Sequence, residues 1–285
     1  MSESRTRFPW LYLVLAYGFA WAIWIPVAWT RQGYRTSPLL VAALLAGVFG
    51  PGLAAIVLVH LRGDRVERRD FWNRALDPRR IRPIWCLVAV LLWPVLHLAA
   101  IGINGLVGGS APAFSLLREL MTQPVALIVL PILYFVQAGL EELGWRGYML
   151  DRLQAIWSPL PASLVLGICH AFWHLPLFWI VGTNQVEYGL GPDLWLFFAY
   201  VVAGSIYSTW CYNDNRRSVL AVILLHFTAN LNLDIFAVPG PQVRIYQLLA
   251  IAGAVLVGAV WVAAAERQRR AVTPAQTPQE EPPMP

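Results

Sequence analysis

Three short segments hold ionisable side chains inside otherwise apolar sequence: Glu141, Glu142 and Arg146; His170 and His174; and His226 with Asn230. In EELGWRG, Glu142 and Arg146 are four residues apart, a spacing that pairs them on one helix face. Glu141 is rotated about 100° from Glu142, so one carboxylate is held by a cation while its neighbour faces elsewhere. Adjacent carboxylates near a low dielectric repel, which favours a proton on one of them and suits a general base. A plain helix-end salt bridge has the same pattern.

In HAFWHLP, His170 and His174 share a helix face one turn apart, with Pro176 close behind. Such a pair invites zinc, yet a zincin needs Glu directly after the first His, and position 171 is Ala. The alternative is two histidines hydrogen-bonded within a bundle. In HFTAN, His226 and Asn230 lie one turn apart and can donate to one point, as an oxyanion hole requires; an interhelical hydrogen-bond pair is the plainer reading. No chemistry is assigned to Asn232 or Asp234. His60 ends a span beside Arg62, and His97 is expected to hydrogen-bond within the bundle. Taken together, a base, imidazoles and oxyanion donors in three segments favour catalysis.

The elements that must position these groups are membrane helices. The chain has 285 residues, 58% hydrophobic and 13% charged, with a mean hydropathy of +0.56. A soluble domain carries about 25% charged residues. The apolar residues come in blocks of about 20, the length that spans the hydrocarbon layer. Eight spans are expected, near 8–29, 38–61, 83–107, 123–140, 159–181, 193–212, 218–238 and 242–265. They make a polytopic all-α bundle, because backbone polar groups find no water in lipid. Ionisable groups at that depth each cost roughly 2–4 kcal/mol unless paired or hydrated, which is why the three segments stand out.

All 21 basic residues are Arg, and they sit in the breaks between apolar blocks, a topology pattern rather than a nucleic-acid face. Seventeen of the 21 fall on one side if both termini are cytoplasmic. The segment 62–82 carries eight Arg and four acidic residues. It reads as a positive-inside loop, or as an interfacial helix with Phe71, Trp72 and Leu76 turned to lipid. Residues 1–265 form the membrane domain, and 266–285, rich in Pro, Gln and Glu, a disordered cytoplasmic tail. Cys86, Cys169 and Cys211 are too scattered for a disulfide framework.

Glu141-Glu142-x-x-x-Arg146-Gly147, then His174-Leu175-Pro176, then His226-x-x-x-Asn230 resemble the successive motifs of the CPBP family, the CAAX prenyl endopeptidases and their bacteriocin-processing (Abi) relatives. The resemblance implies an intramembrane protease of a peptide or protein substrate at the membrane, lipidated in one branch, in a bacterial-type plasma membrane. It casts Glu141 as the base that activates a water, with His174 orienting it. His226 and Asn230 become the oxyanion donors, and the Glu142–Arg146 pair the lock on the geometry. The family is labelled a metalloprotease group, and Glu141, His174 and His226 are a zinc set with an open position for water; a metal-free glutamate mechanism is the alternative. One place departs from the pattern: where the family usually has Phe or Trp, this chain has His170.

Depth sets a condition. His174 lies about 22 Å along the fifth span and His226 about 12 Å along the seventh, at about 1.5 Å per residue. They meet only if the fifth helix starts outside the bilayer or if 142–157 is itself immersed, giving a cytoplasm-facing polar cavity. A transporter or scaffold, or an immunity protein on the same fold, remain alternatives.

Overall fold

The computed structural model describes residues 8–110, 112, 114–236 and 241–272. Among them the chain is all helix and turn: α1 (Trp10–Trp29), α2 (Pro38–Val48), α3 (Gly50–Arg62), α4 (Arg65–Leu76), α5 (Pro83–Leu106), α6 (Ser115–Thr122), α7 (Pro124–Gly144), α8 (Asp151–Leu153), α9 (Pro159–Trp173), α10 (Asn184–Tyr188), α11 (Pro192–Asp214), α12 (Val219–Ile235) and α13 (Pro241–Val272). The expected polytopic bundle is what the chain builds. Six helical segments are long and apolar enough to cross a membrane, and a seventh forms if α2 and α3, bent by 46°, are one span. The remaining expected span, 218–238, is α12, apolar but only 17 residues long. It would reach about 25 Å of a layer of about 30 Å.

Local sequence explains the elements. Pro at the first turn starts α2, α5, α7, α9 and α11, where its missing N–H costs nothing. Ser37, Asp64 and Ser218 cap α2, α4 and α12 through their side chains, satisfying first-turn amides. Along α1, Tyr12, Ala16, Ala20 and Trp24 are fully buried, a four-residue repeat that makes one inward stripe. The Gly50-Pro51-Gly52 stretch bends the second span and lets α3 lie close on α7. A Cβ on Gly52 would stand 2.5 Å from the Leu140 carbonyl oxygen.

The arginine-rich connections gather at one end of the bundle. There Arg82 pairs with Asp214 at 2.6 Å, Arg152 with Glu67 at 2.7 Å, and Arg80 donates to the Arg216 carbonyl. At the opposite end, Tyr34 N–H donates to Val181 C=O and Arg244 pairs with Asp193. The loop helix α4 lies across the arginine-rich end, and its Phe71 is buried in the bundle rather than turned to lipid, while Leu76 is exposed. Arg74, also buried, donates to Asp70, the Tyr212 hydroxyl and the Gly147 carbonyl. The last helix continues past residue 265 to Val272; the rest of the tail lies outside the described residues. All three cysteines are free.

Candidate active site

The fourth span does not stop at residue 140. Beyond Gly144 it widens into a π-helical turn, Trp145–Leu150, whose six residues are all buried, and the helical run continues to Leu153. Such one-turn widenings commonly mark functional positions. This meets the depth condition. Counted from Leu153 and Pro159, where their helical runs meet the arginine-rich end, Glu141 and His170 both lie roughly 17 Å up the bundle at about 1.5 Å per residue. The two groups are level. Asn215 and Ser218 of the α11–α12 turn are fully buried, and two turns into α12 His226 reaches the Glu142 carboxylate. Arg216 and Arg217 take left-handed backbone to make this turn, at φ 53° and 61°, a region rarely used by residues with a side chain.

At that level the two glutamates diverge as their rotation requires. Glu141, 2% exposed, accepts from His170 Nε2 at 3.0 Å. Glu142, 1% exposed, accepts on one oxygen from Arg146 at 2.8 Å and from His226 Nδ1 at 2.7 Å. The first carboxylate therefore belongs to α9 and the second to α12. His174 Nδ1 donates to the His170 carbonyl at 2.9 Å, which leaves Nε2 with its lone pair. The His226 bond to Glu142 likewise leaves Nε2 uncommitted. Asn230 stands one turn above His226, lines the same cavity, and makes no side-chain hydrogen bond among the described residues. His170 packs against Trp145 in a tilted ring contact, with centroids 4.8 Å apart, so it keeps the aromatic wall while adding a ring nitrogen.

These side chains line a cavity of about 740 Å³ whose other walls include Trp24, Leu44, Val48, Trp93 and Leu133. It reaches Tyr34, Arg35, Glu119 and Asn184, at the end opposite the arginine-rich loops. The cavity therefore reaches away from the arginine-rich end. The physical reason is α4, which closes the arginine-rich end over the π turn.

Tyr134 went unread in the sequence, and Asp234 was assigned no chemistry. Tyr134 donates to Asp234 in a short hydrogen bond, and both line the cavity. The signal was the spacing Tyr134, Gln137, Glu141, a polar face on an otherwise apolar helix. His97 differs from expectation too: it is buried and stacked on Tyr246, with ring centroids 3.8 Å apart, and its Nε2 has no hydrogen-bond partner among the described residues.

As to a metal, the side chains of Glu141, His170 and His174 each present a ligand atom, all within 4.8 Å of one another. His226, expected in that set, is instead engaged with Glu142 through Nδ1. The donor set of two imidazoles and a carboxylate fits zinc.

Fold and site define a multi-pass helical membrane protein with a buried carboxylate–imidazole centre of hydrolase type. Residues 122–232 match the family described as Type II CAAX prenyl endopeptidase Rce1-like. The chain is also 29% identical over 241 residues to CAAX prenyl protease 2 of Methanococcus maripaludis, covering 84% of this chain and 88% of that protein. The resemblance read from the motifs is thus supported independently, by the family match and by a relative of similar length. A CAAX-type peptide hydrolase is the enzyme class that this kinship supports.

Proposed function

We propose that this protein is an intramembrane endopeptidase in which Glu141 activates a water against a peptide carbonyl. The observation that carries the reading is the division of labour between neighbouring carboxylates. Glu142 is neutralised by Arg146 and His226, whereas Glu141 meets an imidazole and faces the cavity. A carboxylate with one oxygen on His170 Nε2–H keeps the other for the proton of a water. His174 Nε2 accepts from the same water and aims it. As the peptide carbonyl becomes tetrahedral, its oxyanion is met by the Asn230 amide and by His226. The latter donates from Nε2 as an imidazolium held on the Glu142 carboxylate. Glu141 then passes its proton to the leaving amine. The Glu142–Arg146 pair keeps His226 in register and touches no reacting atom.

The substrate is a peptide presented at the membrane. The name of the Methanococcus relative refers to a prenylated CAAX substrate, and the apolar walls at Leu44, Val48 and Leu133 suit a lipidated one. With the arginine-rich end in the cytoplasm, the protein resides in the plasma membrane as a multi-pass enzyme.

The test is Glu141→Gln, purified and reconstituted with a membrane-delivered peptide. Loss of cleavage at unchanged thermal stability is the expected outcome. Cleavage at the wild-type rate would refute the base assignment.

A further inference from the structure

His170 turns one wall of the site into a chelating surface. Glu141 Oε2 and His170 Nε2 are 3.0 Å apart, and the three ligand atoms of Glu141, His170 and His174 lie within 4.8 Å of one another. Ligands about 2.0–2.2 Å from a tetrahedral zinc are roughly 3.3 Å apart from each other. The first pair is already near that spacing. The third needs to close by roughly 1.5 Å, within reach of a side-chain rotation one helical turn away. His174 is already oriented for coordination: its Nδ1–H is tied to the His170 carbonyl at 2.9 Å, the outer hydrogen bond that ligating imidazoles characteristically make. Trp145, packed at a tilt against His170, holds that ring in place. Glu141 and His170 are buried, His174 is partly exposed, and all three border the cavity, from which a cation can enter.

We propose that Glu141, His170 and His174 bind a divalent transition cation of the zinc class, and that occupancy switches the peptidase off. Binding takes the neutral His170 ring as its Nδ1–H tautomer, so that the Nε2 lone pair meets the metal where the proton was. A carboxylate oxygen that coordinates the cation no longer accepts a proton from water. The switch rests on Glu141 being the catalytic base; the binding site does not.

The experiment is calorimetric titration of zinc chloride into chelator-stripped protein in detergent, alongside cleavage measured over the same zinc range. One zinc per chain is expected. Glu141→Gln and His170→Phe each weaken binding about tenfold or more, while His226→Ala changes it by less than about threefold. Wild-type cleavage falls as zinc rises, with a midpoint at the calorimetric Kd. In His170→Phe, scored against its own chelated rate, that midpoint moves up by the same factor as the binding constant. Absence of zinc uptake, or equal weakening by His226→Ala, overturns the ligand set. Cleavage that rises with zinc overturns the switch. Failure of the base assignment shows separately, as zinc-free cleavage by Glu141→Gln.

Discussion

Gly144 of α7 lies against Pro51 of α3 with no room for a side chain: a Cβ at 144 would stand 2.5 Å from the carbonyl carbon and oxygen of Pro51 and 2.5 Å from the Tyr12 hydroxyl. Gly52 makes the reciprocal approach to Leu140. This crossing sits one turn below Glu141 and sets where both glutamates enter the bundle. Gly144→Ala is expected to cost about 1–3 kcal/mol by overpacking, read as a lowered unfolding midpoint in detergent. Gly139→Ala is the control. It lies on the same helix with nothing within 4 Å of its Cβ position, and it should leave stability unchanged or slightly raised.

The buried pair Glu142–Arg146 has both side chains at 2% exposure or less. Removing the cation leaves a carboxylate stranded, so Arg146→Met is expected to cost about 3–5 kcal/mol. The double variant with Glu142→Gln should cost less than the two single losses added, because each single change strands the other partner. A double-mutant cycle on denaturant unfolding measures this. Additive losses would mean that the pair is not coupled.

Asn230 makes no side-chain hydrogen bond among the described residues, so its replacement should leave the fold intact. Asn230→Ala is expected to lower kcat about 10²–10³-fold with little change in KM. A rise in KM alone would place Asn230 in substrate binding and not in oxyanion stabilisation.

Arg74 ties α4 to the π turn through Gly147 and to α11 through Tyr212, and pairs with Asp70 on its own helix. Burial opposes its charge, but Tyr212, Asp151 and Asp70 outweigh that, and its pKa ends above the ordinary value. A raised folded-state pKa contributes stability that is complete below the unfolded value, about 12.5 or higher for Arg, and is lost only as pH rises through the folded one. The clamp therefore stays charged at every working pH. Arg74→Ala is expected to lower stability by about 3 kcal/mol or more, equally at pH 7 and pH 9. Arg74→Lys should not restore it, since a lysine lacks the planar fork that reaches three acceptors. A loss confined to pH 9 would contradict the account.

Much of the site was legible because helix periodicity is a local property. The four-residue spacing of Glu142 and Arg146 already implied their pair, and that of His170 and His174 implied their shared face. Long apolar blocks implied membrane helices whatever they packed against, and the order of three short motifs implied kinship. What stayed hidden depended on where helices begin relative to one another. The π turn, the α11–α12 turn with its buried Asn215 and Ser218, and the close crossing at Gly144 have no periodic signature. Yet they decide that His170 is level with Glu141 and that His226 reaches Glu142.

The amino-acid sequence by itself determined that this is a multi-pass helical protein with a base, imidazoles and an amide in three of its apolar segments, since lipid penalises each such group enough to make it conspicuous. Only the tertiary structure decided which carboxylate meets which histidine, which ring nitrogens stay free, and towards which end the cavity reaches. Those are distances between segments far apart in the chain, set by packing across helices and not by spacing along them.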